Sequence, residues 1–535
     1  MPKFYPQEVG TPLTLTIQSD FSAGQFSDYA PTKIPETGVS AAQNCVLNRV
    51  GEIETRPGYV LKDTTVEADH IDEIAGLNND TVQAAIVFGG AGIYSFDGTT
   101  LTDIGGYSYN SGESQLMAVQ SGNKIYCVDG TNRLRFYDGT AWDENVAPDV
   151  HPLAAGAEII IAHDKKLIVA GEALGKETIQ VSDIHLDTVP EFDTSVWSFE
   201  VANDGTKITA MASWFDQYFA VFKRNKTYVV DAVRNATTAA GYTIDVADQN
   251  IGCVAKKSAL AVNGDVFFLS DSGVHKLMLA SDGSQYRVTP SLSKPIDNLI
   301  RNIRKDKVSQ SHAKQRGDKY ILYIPVNGIM VNGVEQSSDT CNCAVVWNTT
   351  LNGSVGGWEG YWVGENVSAM DVVEIGDYSY HIVGSEDGSV YVSSDYKNEE
   401  DKTASDYSLA TEIETRGFNF NEEHGEKRPR HIELYCMHSL NGSESVSIYS
   451  SVDGGEYTPV RTVDVSTGSG LVLPFTFPII FDTGRFEPFK VGLAGTGRFR
   501  DIRIKVRCNS GKLSVRSIGV AAFNKTMKKD SSDAS

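Results

Sequence analysis

Cys341-Asn342-Cys343 is the one close spacing among the cysteines of the chain. In a strand it puts both thiols on one face, but a tetrahedral zinc site wants four ligands, and no second Cys or His pair lies nearby in sequence. The expectation is a buried strand. The remaining cysteines, Cys45, Cys127, Cys253, Cys436 and Cys508, are scattered, and an odd total of seven fits reduced thiols better than a disulfide framework. Gly89-Gly90-Ala91-Gly92 and the glycine-rich run from Gly492 to Gly497 do not match G-x-G-x-x-G, and the first lies between strands instead of opening a helix, so both read as turns or bulges. Ser451-Val452-Asp453-Gly454-Gly455-Glu456-Tyr457 resembles the Asp-box hairpin of sialidase propellers, itself a structural turn, and occurs once. The zinc-protease, serine-elbow, phosphate-loop and EF-hand patterns are absent from the sequence. No catalytic, cofactor-binding or metal-ligating residue is therefore assigned, and the chain is expected not to be an enzyme and to need no cofactor. Paired carboxylates leave no fixed spacing, so a polysaccharide hydrolase stays as the least favoured alternative. A second alternative is a host-receptor or glycan-binding propeller using Trp142, Trp197, Trp358, Tyr361 and Trp362, against which stands the usual place of Trp in a propeller core.

What must hold these residues is read from composition and period. The chain has 535 residues and a formal net charge of −22, from 47 Lys and Arg against 69 Asp and Glu. Such a surface repels a phosphate backbone, so tight DNA binding is not expected, whereas an acidic wall past which DNA slides is compatible with it. No apolar run approaches the roughly 20 residues of a membrane-spanning helix, and Met1-Pro2-Lys3-Phe4-Tyr5-Pro6 lacks a secretory apolar segment. A soluble protein made in the cytoplasm, with no membrane insertion, is expected.

Short runs of Val, Ile, Tyr and Phe are punctuated by Asp-Gly, as at 97–98, 129–130, 138–139 and 387–388, and by Asn-Gly, as at 263–264 and 327–328, which predicts hairpins. Residues 85–90 are followed by 93–99, and the same grammar returns at 125–130 with 134–140, then at 166–171. The repeat is about 40 residues, that of four-stranded propeller blades, which cannot bury their faces alone and stack radially. Looser hairpins follow at 218–222 with 227–230, 266–269 with 274–277, 320–324 with 344–347 and 380–383 with 390–392, with insertions around 183–199 and 327–343.

The predicted fold is all-β: a six- or seven-bladed β-propeller over 41–397, a linker over 398–408, and a β-sandwich-like platform domain over 409–523. An extended N-terminal arm over 1–40 precedes them, and a disordered tail over 524–535 follows. One helix is predicted, with Ile296, Leu299, Ile300 and Ile303 on one face, Ser293 as N-cap, Pro295 in the first turn, and Arg301, Arg304 and Lys305 as solvated, dipole-complementing charges.

The segment from Asn44 to Tyr59, with Gly51, Arg56, Pro57 and Gly58, resembles the N…G…RPG segment near the start of the tail nozzle, tail tubular protein B-like and DNA-stabilisation hub proteins of short-tailed bacteriophages (podoviruses). Further likeness follows in order at 178–183, 207–223 and 251–274, then at Glu414-Thr415-Arg416-Gly417-Phe418, 427–428, 497–504 and 515–518. The resemblance implies a homo-oligomeric ring, a hexamer, lying below the portal and adaptor, contacting tail fibres and lining the channel through which genomic double-stranded DNA passes without tight binding. It carries over no catalytic residue. Asn44, Arg56, Pro57, Gly58, Arg416 and Gly417 are its structural signature, with Arg56 expected to pair with a carboxylate instead of touching DNA. A virion-tail location follows from the same resemblance, and the chain is shorter than the largest nozzles.

Overall fold

The Asp-Gly turns act through their carboxylates as well as their glycines. Oδ1 of Asp97 accepts from the backbone N–H groups of Thr99 and Thr100 at 2.8 and 2.9 Å, and Asp138 repeats this with Thr140 and Ala141 at 2.7 and 2.9 Å. Gly98 and Gly139 follow with φ of 96° and 97°, a region in which a Cβ is strained. The two turns join the third and fourth strands of successive four-stranded sheets.

The computed structural model describes residues 13–394 and 410–524, apart from 48–50, 64–65, 67–69, 91, 106–108, 110–115, 146–150, 185–187, 233–237, 239–240, 281–285, 332, 424, 438–444, 465–485, 494–495 and 509–512. The chain divides into two units, one of residues 57–349 and 362–407, the other of 1–56, 350–361 and 408–535.

The first unit is a β-propeller with seven blades among the described residues. The inner strands of the first five are Ile71–Asn78, Met117–Ser121, Ile159–His163, Ile208–Trp214 and Leu260–Val262, each leading an antiparallel four-stranded meander. Blade six begins with His312–Arg316 and continues through Lys319–Ile324 and Cys341–Asn348. Blade seven is built from residues 367–375 of the strand Gly357–Ile375, then Tyr378–Ser385 and Val390–Ser394, and its outer strand is Val60–Asp63 from the N-terminal side of blade one. The ring therefore closes by pairing early chain with late chain. The forty-residue rhythm tracks the second strands of blades one to three, and the four looser hairpins are the second and third strands of blades four to seven.

Core lies between blades. Ala75, Leu77, Ile86 and Phe88 of blade one pack on Ile125, Cys127 and Tyr137 of blade two, while Ile74, Ala85 and Val87 of blade one pack on Val373, Ile382 and Val392 of blade seven. Alternate residues of a strand thus serve opposite neighbours, as a period of two requires.

The second unit is a β-sandwich. One sheet contains Phe486–Gly492, Lys427–Met437, Ser514–Asn524, Ile53–Thr55 and Cys45–Leu47; the other contains Gly38–Gln43, Thr411–Thr415, Ile502–Cys508, Ser445–Val452 and Thr458–Asp464. Strict alternation in Ile502–Cys508 sends Ile502, Ile504, Val506 and Cys508 into a core shared with Phe21, Val39, Leu47 and Ile53.

Sequence and structure differ at the boundaries. Where the N-terminal arm was expected, Leu13–Gln18 is an extended strand pairing antiparallel with Ser514–Asn524, and Gly24–Gln25 runs parallel to Gly38–Gln43. Residues 41–56, assigned from sequence to the propeller, supply strands to the sandwich, because Cys45, Leu47 and Ile53 bury their side chains there. The expected linker at 398–408 lies outside the described residues, as do residues 1–12 of the arm and 525–535 of the tail. The helix is shorter than its periodicity suggests: a 3-10 turn, Lys294–Ile296, runs into Asp297–Arg301. Ser293 makes no side-chain cap; its Oγ accepts from the Val274 N–H at 3.1 Å. Arg301 pairs with Asp297, and Arg304 with Asp306 and Asp339, so these charges are satisfied within the chain.

Candidate functional site

Four of the signature residues, Asn44, Arg56, Arg416 and Gly417, lie in the sandwich unit, and Asn44 and Arg56 touch one another there. Asn44 takes a left-handed φ of 53°, which Asn tolerates better than most side chains. From there its Nδ2 donates to the carbonyl of Ala410 at 3.1 Å and its backbone N–H to that of Tyr361 at 2.8 Å. Arg56, 1% exposed, donates through Nε to Oδ1 of Asn44 at 3.2 Å and through its backbone N–H to the Asn44 carbonyl at 3.0 Å. One acceptor of the Arg56 guanidinium is thus the Asn44 carboxamide. Gly417 donates to the carbonyl of Pro31 at 2.9 Å, and a Cβ there would sit 3.2 Å from the Thr32 side chain. The Arg416 guanidinium lies over the Phe418 ring at 5.5 Å. Pro57 is half-buried and Gly58 buried where the chain passes into the propeller unit. These groups tie together segments distant in sequence.

The aromatic residues weighed for glycan binding do not make a shared surface. Trp358 and Trp362 are 1% and 3% exposed. Trp197 packs at the edge of the core between blades three and four beneath the Lys166 ammonium, 3.8 Å from its ring centroid, and Trp142 stacks on Tyr137 at 5.0 Å. Tyr361 donates to Oε1 of Gln43 at 3.2 Å. The Asp-box-like segment forms the hairpin between Ser445–Val452 and Thr458–Asp464, where Oδ1 of Asp453 accepts from the N–H groups of Arg500 and Asp501 at 2.6 and 3.0 Å.

What sequence reasoning missed lies on the propeller axis. Residues from all seven inner strands or their approaches line a pocket of about 260 Å³. Small or flexible side chains such as Ala118, Ala212, Met117 and Met370 keep it open, and its polar lining is Glu73, Lys256, Lys257, His312, Lys314 and Ser213. Lys256 and Lys257 lie in a 3-10 turn just ahead of the inner strand of blade five. From there they fan across the axis. Lys257 pairs with Oε2 of Glu73 at 2.8 Å and donates to the Asp72 carbonyl at 2.8 Å, both in blade one; Lys256 donates to the Glu158 carbonyl, beside blade three, at 3.1 Å. Lys314 of blade six pairs with Asp371 of blade seven at 3.2 Å, and the other Asp371 oxygen accepts from the Gly76 N–H at 3.1 Å.

Electrostatics in this cluster follow from burial. Desolvation first, then the neighbouring Lys257 ammonium, pulls the Lys256 amine down to about 7. Burial also holds His312 at about 4, with Lys257 adding in the same direction, so its ring is neutral at pH 7. His312 stacks on Tyr323 with ring planes 9° apart, and its Nδ1 lies 3.1 Å from the Gln310 carbonyl, which can only accept. The hydrogen is therefore assigned to Nδ1, which leaves Nε2 a lone pair without a partner. Desolvation likewise raises Asp371 despite the Lys314 ammonium. These residues come from blades one, five, six and seven, and no local spacing announces them. Lys256-Lys257 is one of three adjacent lysine pairs in the sequence, beside Lys165-Lys166 and Lys528-Lys529, so it does not stand out.

No protein-family model matches the chain, and no curated protein does. Among solved structures it is similar to BamB from Moraxella catarrhalis, at 13% identity and a TM-score of 0.36, covering 66% of this chain and 91% of that one. It is also similar to YCF48 bound to D1 peptide, at 9% identity and a TM-score of 0.37, covering 62% and 94%. The class is an all-β propeller protein.

Proposed function

We propose that the chain is a non-enzymatic structural subunit of the tail of a short-tailed bacteriophage, a nozzle-type protein that assembles with copies of itself into a ring around the path of the genome. The buried Asn44–Arg56 contact carries this reading. Two of the residues on which the sequence resemblance rests thus bind one another inside the sandwich, which supports a likeness of architecture. Portal, adaptor and tail fibres are the partners in this reading, and a hexamer is the ring. In this reading the propeller axis is not the conduit, because Lys257 of blade five pairs with Glu73 of blade one. The conduit belongs between subunits, where a chain of net charge −22 offers DNA little to adhere to.

Negative-stain imaging and light scattering of the purified chain test the proposal, together with anisotropy of a labelled duplex at low and moderate salt. Rings, or incorporation into tail complexes, without salt-sensitive DNA affinity are expected; a stable monomer that binds duplex with a steep salt dependence overturns it. The glycan-binding alternative loses Trp358 and Trp362 as contact residues, since both are core. Binding on a glycan array by the intact chain is the observation that would restore it, and release of reducing ends from envelope polysaccharide would revive a hydrolase.

A further inference from the structure

A sheet edge is a row of unpaired N–H and C=O groups, and chains that are to stay apart guard it with charge, proline or a cover. The outer strands of this protein are guarded in that way. In blades one to five and blade seven each carries at least one charged side chain, from Asp103 in blade one to Arg287 in blade five. At the sandwich, the edge strand Thr458–Asp464 holds Pro459 and Arg461, and the edge strand Phe486–Gly492 holds Pro488 and Lys490. Leu13–Gln18 is unguarded. It pairs along one side with Ser514–Asn524, its other side meets no strand among the described residues, and Leu-Thr-Leu-Thr-Ile-Gln contains neither charge nor proline. Its outward face is apolar: Leu13, Leu15 and Ile17 are 48%, 42% and 50% exposed, and Leu15 and Ile17 lean over Gly519, where a Cβ would meet them at 3.4 and 3.2 Å.

Sequence decides the occupant. Read in either direction, Leu13 to Ile17 alternates a branched aliphatic residue with threonine, so an antiparallel copy centred on Leu15 sets Leu15 opposite Leu15, Leu13 opposite Ile17 and Thr14 opposite Thr16. Opposed residues share a face, so the six aliphatic side chains make one stripe and the threonines pair on the other side. The edge strands Thr458–Asp464 and Phe486–Gly492 of a second copy offer no such match, since proline withholds a donor and charge would be set against aliphatic side chains. Net charge points the same way: two copies of −22 repel wherever acidic surface meets acidic surface, and this strand is uncharged.

We propose that Leu13–Gln18 pairs antiparallel with the same strand of a second copy, about a two-fold axis at Leu15, joining two sandwich sheets edge to edge. Such an isologous contact links two copies and cannot by itself close a ring, so it goes beyond the ring reading and neither requires it nor follows from it.

Light scattering and sedimentation velocity of the full-length chain, beside Leu15→Lys, Leu15→Asp and Leu15→Cys, are the test. The wild type is expected to associate in even numbers. Leu15→Lys and Leu15→Asp each set like charges face to face at the axis and weaken pairing at least about tenfold, and an equimolar mixture of the two restores it. Leu15→Cys brings two thiols within disulfide reach, and mild oxidation gives a covalent dimer; the seven native cysteines are buried and stay out of it. Thermal unfolding of each variant separates loss of contact from loss of fold, and Leu15→Cys carries the test where a charge disturbs folding. A wild-type chain that stays monomeric overturns the proposal, whether another class of partner fills the edge or residues 1–12 do, and dimerisation on removal of 1–12 identifies the latter. Unchanged association in folded Leu15→Lys, or no cross-link from Leu15→Cys, overturns it as well. Rings that persist unchanged in every Leu15 variant leave the ring reading standing while the two-fold contact falls; dimers that never form rings do the reverse.

Discussion

Burial keeps His312 neutral down to about pH 4, against an ordinary value of 6.5, and this ties stability to pH with a definite sign. The unfolded chain takes up the proton near pH 6.5 and the folded chain does not until pH 4, so the contribution is intact above 6.5 and falls away between the two. A loss of about 3 kcal/mol across that window is expected from this group, read from urea midpoints between pH 7 and pH 4, and His312→Phe flattens the slope. Thiols give a second prediction at this scale. All seven cysteines are free and buried, and burial raises those of Cys45, Cys253, Cys341 and Cys343. A thiol reagent should therefore label none in the native protein and seven in denaturant. Reduced thiols were legible from an odd, scattered count. The Asn44 contact of Arg56 was not, because a guanidinium suits a carboxylate or a carboxamide and only the path of the chain places Asn44 beside it.

Among the elements, the closure of the ring is the point most exposed to a single substitution. A Cβ on Gly384, in the second strand of blade seven, would lie 2.5 Å from Cβ of Ile71 in blade one, a branched position that cannot swing aside. Gly384→Ala is expected to cost about 2 kcal/mol, seen as a shifted denaturation midpoint with an unchanged slope. Between blades three and four, Lys223 is buried with Glu177 at 2.5 Å and Asp204 at 2.6 Å, while Lys226 reaches the other Asp204 oxygen from a more exposed position. Lys223→Met strands two carboxylates and should destabilise much more than Lys226→Met, a comparison that thermal melts of the two variants decide. The hairpins behind all this were readable from Asp-Gly and Asn-Gly turns. The fourth strand of blade seven was not, since Val60–Asp63 comes from the far end of the chain and a short strand carries no mark of its partner.

At the scale of the whole molecule, early and late chain share one core. Phe21, Val39, Leu47 and Ile53 pack among Ile432, Leu434, Ile504 and Val520, so neither segment buries its apolar face without the other. A chain ending at residue 397 is therefore expected to be insoluble, or to lose residues 13–56 rapidly to protease while the intact chain retains them. Limited proteolysis followed by mass spectrometry checks this.

Turn chemistry, the two-residue alternation and a repeat near 40 residues are local properties, and from them the strand content, the hairpins and the propeller class follow directly. Long-range pairing is not local. Which strand closes the ring, that 41–56 belongs to the sandwich, and that Glu73, Lys256, Lys257, His312 and Lys314 meet on one axis depend on contacts between residues as far as several hundred positions apart. A repeat announces that modules stack; what converges at their centre is decided only when the circle is complete.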